Sequence, residues 1–203
     1  VGGFATRSAF DARYASVVFF PLILLVALGF TVFLDRRVRA GVLTLAAALG
    51  VAAAVPNVVT NRTQAGQVAA AIERNGRPGD VVAYCPDQLG PAVHRILPPG
   101  YRQTTFPRGT GATFVNWVDY AQAVRSASVV GFASHVESLA ARDGPHRIFV
   151  VWAPGYQSYG VRCEGIVQTL QGDPAYRATT LVNGNPISFY QPMWMVELRP
   201  TTG

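Results

Sequence analysis

The chain contains no lysine, and all seventeen of its basic residues are arginine. With eleven acidic residues the formal net charge at pH 7 is +6, a balance that raises the question of a nucleic-acid partner. Nucleic-acid-binding chains concentrate their basic residues in one stripe or run. These arginines are instead spread along the sequence and cluster only at residues 35–39. We therefore expect no nucleic-acid partner.

Cysteine is nearly absent as well, with only Cys85 and Cys163 in the chain. Neither belongs to a Cys-x-x-Cys pair or to a Cys/His cluster with the spacing of zinc ligands, so we predict no metal site. Their expected positions, at the end of a strand and near the start of a helix, suit a disulfide in an oxidising compartment. Two buried, unpaired thiols are the alternative.

Familiar catalytic and cofactor motifs are also missing. The three histidines are scattered, and no Gly-x-Ser-x-Gly sequence surrounds a serine. The segment Arg108–Thr113, RGTGAT, lacks the third glycine of a dinucleotide fingerprint and the Gly-Lys-Ser/Thr of a P-loop. We interpret this segment as a flexible loop, and the motifs predict neither a cofactor nor a catalytic residue.

Charge is missing from two long stretches near the beginning of the chain, Ala15–Leu34 and Ala40–Val59. An α-helix rises about 1.5 Å per residue, so each stretch forms a helix about 30 Å long, which matches the hydrocarbon core of a bilayer. The sequence therefore predicts transmembrane helices at 15–34 and 40–59. They form a membrane hairpin within residues 1–60, and residues 61–203 form a separate domain.

The segment between the two stretches, residues 35–39, has the sequence DRRVR. Short arginine-rich loops stay on the cytoplasmic side of a membrane. Both outer ends of the hairpin then face the other side, and residues 61–203 become an extracytoplasmic domain. In a bacterium, that domain lies on the outer side of the inner membrane.

The chain begins with Val1 and shows no basic n-region and no small-residue cleavage site after the first apolar stretch. A signal peptide needs both features, so we do not expect one. We expect the sequence to be the carboxy-terminal part of a longer membrane protein. A processed or misplaced start is the alternative.

Residues 61–203 alternate short apolar runs with segments of helical periodicity. This alternation predicts an α/β layered domain with a mostly parallel sheet. The turn-forming residues 183–186 predict that the last two strands form an antiparallel hairpin at one edge, with the final strand at the edge itself. The predicted strands are 80–85, 101–106, 147–153, 177–182 and 189–198, and the predicted helices are 62–75, 88–97, 117–126, 134–142 (N-cap Ser134) and 159–171.

The loop 155–160, GYQSYG, follows the most apolar of the predicted strands. Loops at the carboxyl ends of strands bind ligands in open α/β sheets. The rings of Tyr156 and Tyr159 suit stacking on a sugar, and the amide of Gln157 suits hydrogen bonding to it. We predict a glycan-binding loop here. Packed aromatic side chains in an ordinary loop are the alternative.

Arg13 and Tyr14 precede the first apolar stretch, at the predicted outer end of its helix. One interpretation is an interfacial anchor, in which the tyrosine lies in the aromatic belt and the arginine extends towards water. The other is a contact with a lipid-linked phosphate, because a guanidinium group presents a planar fork of donors that matches phosphate oxygens.

Residues 10–16, FDARYAS, followed by an apolar helix that contains Pro21, resemble the late transmembrane region of GT-C type glycosyltransferases. This group includes the protein mannosyltransferases and the lipid A aminoarabinose transferases (glycosyltransferase family 39 and its bacterial relatives). The resemblance implies transfer of a sugar from a polyprenyl-phosphate donor in the membrane lipid to a glycan or protein acceptor outside the cytoplasm. It also implies that Arg13 and Tyr14 contact the donor phosphate. The family's catalytic base lies in the first external loop, before Val1, so this chain alone is expected to be inactive.

A non-enzymatic protein of the cell envelope is the alternative, with a membrane anchor and an outer domain that binds a partner. A transporter fragment agrees less well with the sequence, because the two apolar stretches carry no charge that would mark an ion path.

Overall fold

The structure, a computed structural model, describes residues 16–59 and 61–201. The chain divides into two compact units, residues 1–60 and residues 61–203. We call them the helical unit and the α/β domain. The division falls where the composition changes from apolar to mixed.

The helical unit contains helices α1 (Ser16–Phe30) and α2 (Arg36–Val59). Asp35 caps α2, because its Oδ1 accepts a hydrogen bond of 2.7 Å from the backbone N–H of Arg37. Within α2, the segment Arg36–Pro56 is long and apolar enough to cross a membrane. The described part of α1 has 15 residues, about 22 Å of helix. Among the described residues one span is therefore supported, and the second stays a prediction.

The α/β domain begins with a helix and then alternates strands with helices until a final pair of strands. Its strands are β1 (Val81–Cys85), β2 (Arg102–Thr105), β3 (Ile148–Trp152), β4 (Tyr176–Val182) and β5 (Trp194–Pro200). Its helices are α3 (Ala65–Asn75), α4 (Gly90–His94), α5 (Tyr120–Ser126), α6 (Val129–Ala140) and α7 (Arg162–Gln171), and a single 3-10 turn, Asp87–Leu89, precedes α4.

The strands form one sheet in the order β2-β1-β3-β5-β4. β1 lies between β2 and β3 and is parallel to both, whereas β5 is antiparallel to both β3 and β4. The sheet is therefore mixed. The predicted parallel pairing holds for β2, β1 and β3, and the predicted antiparallel hairpin forms the remainder.

The hairpin lies at one edge of the sheet, as predicted, but its outer strand is β4, and the final strand β5 is internal. Met193, Met195 and Glu197 alternate with Trp194, Val196 and Leu198, a pattern that predicts an edge strand. Met195 and Glu197 nevertheless have no exposed surface. Glu197 is covered because the guanidinium groups of Arg147 and Arg199 lie against its carboxylate. A paired charge can occupy an internal strand, which an unpaired charge cannot.

Helices cover both faces of the sheet and produce two apolar clusters. Successive residues of a strand point to opposite faces, so β1 contributes to both clusters, and all five of its residues are buried. Helix α3 buries Val68 and Ile72 on one face, which α4 also covers. Helix α7 buries Ile166 and Leu170 on the other face, together with α6.

Helix α6 begins earlier than predicted. Its N-cap is Ser128, whose Oγ accepts a hydrogen bond of 3.0 Å from the backbone N–H of Gly131. The predicted cap, Ser134, belongs to a capping-box pattern, but it lies inside the helix. The apolar residues just before it, Phe132 and Ala133, are buried in the core, and this burial extends the helix towards its N-terminus.

Candidate functional site

Strands β1, β2, β3 and β4 point in one direction, because β5 is antiparallel to both of its neighbours. Their carboxyl ends share one edge of the sheet, which we call the carboxyl edge, and the opposite edge is the amino edge. The chain leaves β1 towards α4 on one face and leaves β3 towards α7 on the other. In open α/β sheets, this divergence opens a crevice in which ligands bind.

A disulfide joins two elements at the carboxyl edge. Cys85 is the last residue of β1 and Cys163 lies in the first turn of α7, with their Cα atoms 5.3 Å apart. This is the pair that the sequence predicts, and the prediction is confirmed. The bridge connects the segment that leads from β1 to Asp87 with the segment that follows Tyr159.

Asp87 stands two residues after the end of β1, and only 5% of its surface is exposed. Its Oδ1 accepts hydrogen bonds from the hydroxyl groups of Tyr120 at 2.6 Å and Tyr159 at 2.9 Å. The two hydroxyl groups also contact each other, and the amide of Gln88 donates to the hydroxyl of Tyr120 at 2.7 Å. These four side chains come from three separate segments, and we call them the Asp87 cluster.

Burial governs the ionisation of the Asp87 cluster. It raises the pKa of Asp87 above its ordinary value, although the hydrogen bonds from Tyr120 and Tyr159 oppose the rise because they favour the carboxylate. Burial also raises the pKa of both tyrosines, and the nearby Asp87 adds to that rise. The two phenols are therefore neutral at physiological pH and act as hydrogen-bond donors.

The predicted glycan loop lies beside the Asp87 cluster, in the segment after β3. Tyr159 is 2% exposed, so its ring offers no free face to a ligand. Tyr156 is half-buried, and its ring meets that of Tyr159 edge-on, with centroids 6.4 Å apart. Gln157 is exposed. All three residues therefore lie in the segment that follows the carboxyl end of β3, and glycan binding by them stays a prediction.

The other predicted site residues, Arg13 and Tyr14, lie outside the described residues, so their contact with a donor phosphate stays a prediction. The sequence analysis missed Asp87 and Tyr120. A signal for Asp87 was available, because it follows a buried apolar run just as the predicted glycan loop does. No local signal marks Tyr120, which reaches Asp87 from 33 positions further along the chain.

A cavity of about 270 Å³ lies at the carboxyl edge, between the loop after β2 and the start of α6. Arg108 and His135 bring hydrogen-bonding groups to its lining, and Phe132 forms an apolar part of the wall. The ring of Phe132 packs against Phe106, and the ring of Phe106 packs against Tyr159. A chain of aromatic contacts therefore joins this cavity to the Asp87 cluster.

The amino edge carries a groove of about 440 Å³ whose lining combines arginines and Asp80 with prolines. Asp80 is buried there and accepts hydrogen bonds from the backbone N–H groups of Arg77 at 2.7 Å and Arg147 at 3.0 Å. Arg147 and Arg199 also lie 3.4 Å and 2.9 Å from the carboxylate of Glu197. Asp80 and Glu197, the two buried acidic groups of this edge, are thus engaged within the domain.

Comparison with known proteins finds no matching family model, no matching curated protein and no matching solved structure. Over the part of the chain that the structure describes, no group of three or more His, Cys, Asp or Glu side chains could hold a metal ion. The function is therefore argued from the geometry and chemistry of the site.

Proposed function

We propose that the chain is the carboxy-terminal portion of an integral membrane glycosyltransferase that moves a sugar from a polyprenyl-phosphate donor to an extracytoplasmic acceptor. In this proposal, the α/β domain binds the acceptor glycan at the carboxyl edge, and Arg13 and Tyr14 contact the donor phosphate. Another part of the enzyme carries the catalytic base, so the chain by itself binds glycan without transferring sugar.

Three features support the proposed location. Helix α2 contains a segment long and apolar enough to cross a membrane, and in the proposal α1 forms the second span of a hairpin. The arginine-rich residues 35–39 between the helices favour the cytoplasmic side, which places the α/β domain outside. The Cys85–Cys163 disulfide agrees with that side, because disulfides persist in oxidising compartments.

The Asp87 cluster is the observation that carries the binding role. Ligand sites in proteins combine a few convergent polar groups with apolar and aromatic walls. The cluster places phenol, carboxyl and amide groups within hydrogen-bonding distance of one another at the switch point of the sheet. Half-buried Tyr156 and exposed Gln157 adjoin it. Neutral hydroxyl-rich ligands such as glycans suit this combination.

The cluster favours binding over catalysis. A general base must reach the proton that it removes from the ligand, whereas Asp87 is buried and already accepts two hydrogen bonds. Tyr120 and Tyr159 hold their protons because burial raises their pKa. We therefore assign the α/β domain to recognition of the acceptor.

Glycan binding is tested with the intact chain in lipid nanodiscs, by saturation-transfer NMR against a panel of mannose, galactose and arabinose oligosaccharides. We expect Tyr120→Phe to weaken binding by about tenfold, because Asp87 and Gln88 lose the hydroxyl group that holds them in place. Tyr176→Phe removes a hydroxyl at the amino edge and should leave the affinity unchanged. Equal affinities in the two variants, or no binding to any sugar, would exclude a glycan site at the Asp87 cluster.

The alternative is a non-enzymatic envelope protein that binds glycan through the same edge. This alternative is favoured because Asp87, the one carboxyl group of the cluster, is enclosed by its two tyrosine partners. An enclosed carboxyl group cannot act as a general base on a ligand. Transfer from a polyprenyl-phosphate sugar by the full-length gene product separates the two. We expect Arg13→Ala to lower that transfer more than Arg7→Ala. Retained glycan binding without any transfer would favour the alternative.

A further inference from the structure

The large apolar side chains that the α/β domain exposes are concentrated at the carboxyl edge. Their exposed fractions run from 63% for Trp117 to 97% for Ile187. Within the described part of the domain, Ile96 at 53% is the exception, since it follows α4 towards the amino edge. The exposed residues of the carboxyl edge include Phe114, Trp117, Val161, Ile187 and Tyr190.

Contacts and chain position place three of these side chains at one edge. The ring of Trp117 lies 4.8 Å, centroid to centroid, from the ring of Tyr120. Val161 comes two residues after Tyr159 in the segment that follows β3. The loop between β4 and β5, which contains Ile187, ends where the amide of Gln191 donates to the hydroxyl of Tyr156 at 3.3 Å.

The chain that comes from helix α2 joins the domain at this same edge. The helix ends at Val59, and the next described residues are bound to the loop between β4 and β5. The backbone N–H of Gln191 donates to the carbonyl oxygen of Arg62 at 3.0 Å, and the backbone N–H of Gln64 donates to the carbonyl oxygen of Gln191 at 3.1 Å. The first described residues of the domain therefore lie at the carboxyl edge, beside the loop that contains Ile187.

We infer that the carboxyl edge of the α/β domain is a membrane-docking surface, which rests its exposed loops in the interfacial layer of a phospholipid bilayer. Tryptophan and tyrosine prefer this layer because their rings are apolar and their N–H or O–H groups stay hydrated. Burying apolar loops in it stabilises surface binding in proportion to the area buried. The inference rests on the membrane anchoring in the proposed function and is independent of glycosyl transfer.

The native tryptophans allow a direct test. Trp117, Trp152 and Trp194 are the three tryptophans of the chain, and all lie in the α/β domain. Trp152 and Trp194 are half-buried and pack against each other, with centroids 5.7 Å apart. The intact chain is reconstituted in phosphatidylcholine vesicles with ordinary or brominated acyl chains, and tryptophan emission is compared. Bromine quenches only tryptophans that approach the acyl region.

We expect brominated lipid to lower the emission of the wild-type chain, and Trp117→Phe to remove most of that loss. No loss in the wild type would overturn the inference, because Trp152 ends β3 and Trp194 begins β5, so all three tryptophans lie at the carboxyl edge. Emission that changes with protein concentration and not with bromination would identify a second copy of the chain as the partner, which also overturns the proposal.

A matched pair of variants tests the assignment to one edge. Ile187→Asp places a charge in the loop between β4 and β5, and Ile96→Asp places the same charge towards the amino edge. We expect Ile187→Asp to reduce the quenching of Trp117, while Ile96→Asp leaves it at the wild-type level. Equal effects of the two variants would contradict docking through the carboxyl edge.

Vesicle flotation of each sample separates this inference from the proposed function. If the chain floats with the vesicles and Trp117 is unquenched, the helical unit is anchored and only the docking surface is refuted. If the chain does not float, membrane anchoring fails, and the proposed function and the docking surface fail together.

Discussion

Buried acidic groups have different hydrogen-bond partners at the two edges of the α/β domain. At the amino edge, Asp80 accepts hydrogen bonds from two backbone N–H groups and lies 3.5 Å from the imidazole of His146. At the carboxyl edge, Asp87 is equally enclosed, but its partners are the neutral phenols of Tyr120 and Tyr159. The first carboxyl group is surrounded by backbone donors and an imidazole, whereas the second is surrounded by the hydroxyl groups of two neutral phenols.

The exposed side chains around the two edges also differ in polarity. The amino edge exposes arginines around a charged groove, which suits a surface in water. The carboxyl edge exposes aromatic and aliphatic side chains, Trp117 and Ile187 among them. The comparison teaches that ion pairs concentrate at one edge, whereas the other edge exposes apolar and neutral polar groups.

The largest effect that we expect is at the carboxyl edge, from removal of the disulfide. The Cys85→Ala, Cys163→Ala double variant should lose about 4 kcal/mol of free energy of unfolding, since the bridge closes a long loop in the unfolded chain. Urea unfolding in detergent micelles, followed by tryptophan emission, reports on the α/β domain. Reductant should destabilise the wild type alone, and a shift of the double variant by reductant would contradict this account.

The Arg147→Met variant measures how much the ion pairs of the amino edge contribute to the free energy of unfolding. This variant leaves Glu197, which has no exposed surface, with one guanidinium partner fewer. Breaking a buried pair in this way should lower the free energy of unfolding by about 3 kcal/mol. The exposed Arg177→Met should change it by less than about 0.5 kcal/mol. Similar urea midpoints for the two variants would show that the ion pairs contribute little.

The Asp87 cluster is tested within one loop by two phenylalanine substitutions. Tyr159→Phe removes a hydroxyl that donates to the buried Asp87 and should cost about 2 kcal/mol of free energy of unfolding. Tyr156→Phe removes a half-buried hydroxyl that only accepts from Gln191, so it should cost less than about 1 kcal/mol. A reversed order in urea unfolding would count against the cluster as a stabilising unit.

The smallest effect concerns pH. Because burial raises the pKa of Asp87 above its ordinary 3.8, the folded domain binds this proton more tightly than the unfolded chain. The bound proton therefore stabilises the folded domain fully at pH values below the ordinary pKa of 3.8. This stabilisation is lost as pH rises through the raised pKa of Asp87. Asn at this position does not titrate, so Asp87→Asn should gain stability relative to the wild type as pH rises above about 4. Urea unfolding across that range checks this, and a constant difference would refute it.

Local patterns in the sequence anticipate much of the domain. β1 and β3 are continuous apolar runs between turn residues, and such runs become buried strands whatever their neighbours are. The disulfide also follows from position, because Cys85 ends a strand and Cys163 begins a helix on adjacent segments. The turn-rich residues 183–186 predict the hairpin for the same local reason.

Other features depend on partners far along the chain and have no local signature. Glu197 is buried because Arg147, 50 positions earlier, reaches its carboxylate, and the alternation of β5 therefore misled the prediction that the final strand lies at the edge of the sheet. The Asp87 cluster joins residue 87 to Tyr120 and Tyr159, 33 and 72 positions further on. Ser128 caps α6 in place of Ser134 because the core buries Phe132.

By itself, the amino-acid sequence determined the apolar helix, the separate α/β domain, the main strands and the cysteine pair, because each depends on the hydrophobicity or spacing of neighbouring residues. Only the tertiary structure decided which acids are buried and which apolar side chains stay exposed. Burial is a property of the assembled sheet and helices, and it alone brought Asp87 to two tyrosines and gathered the exposed rings at one edge.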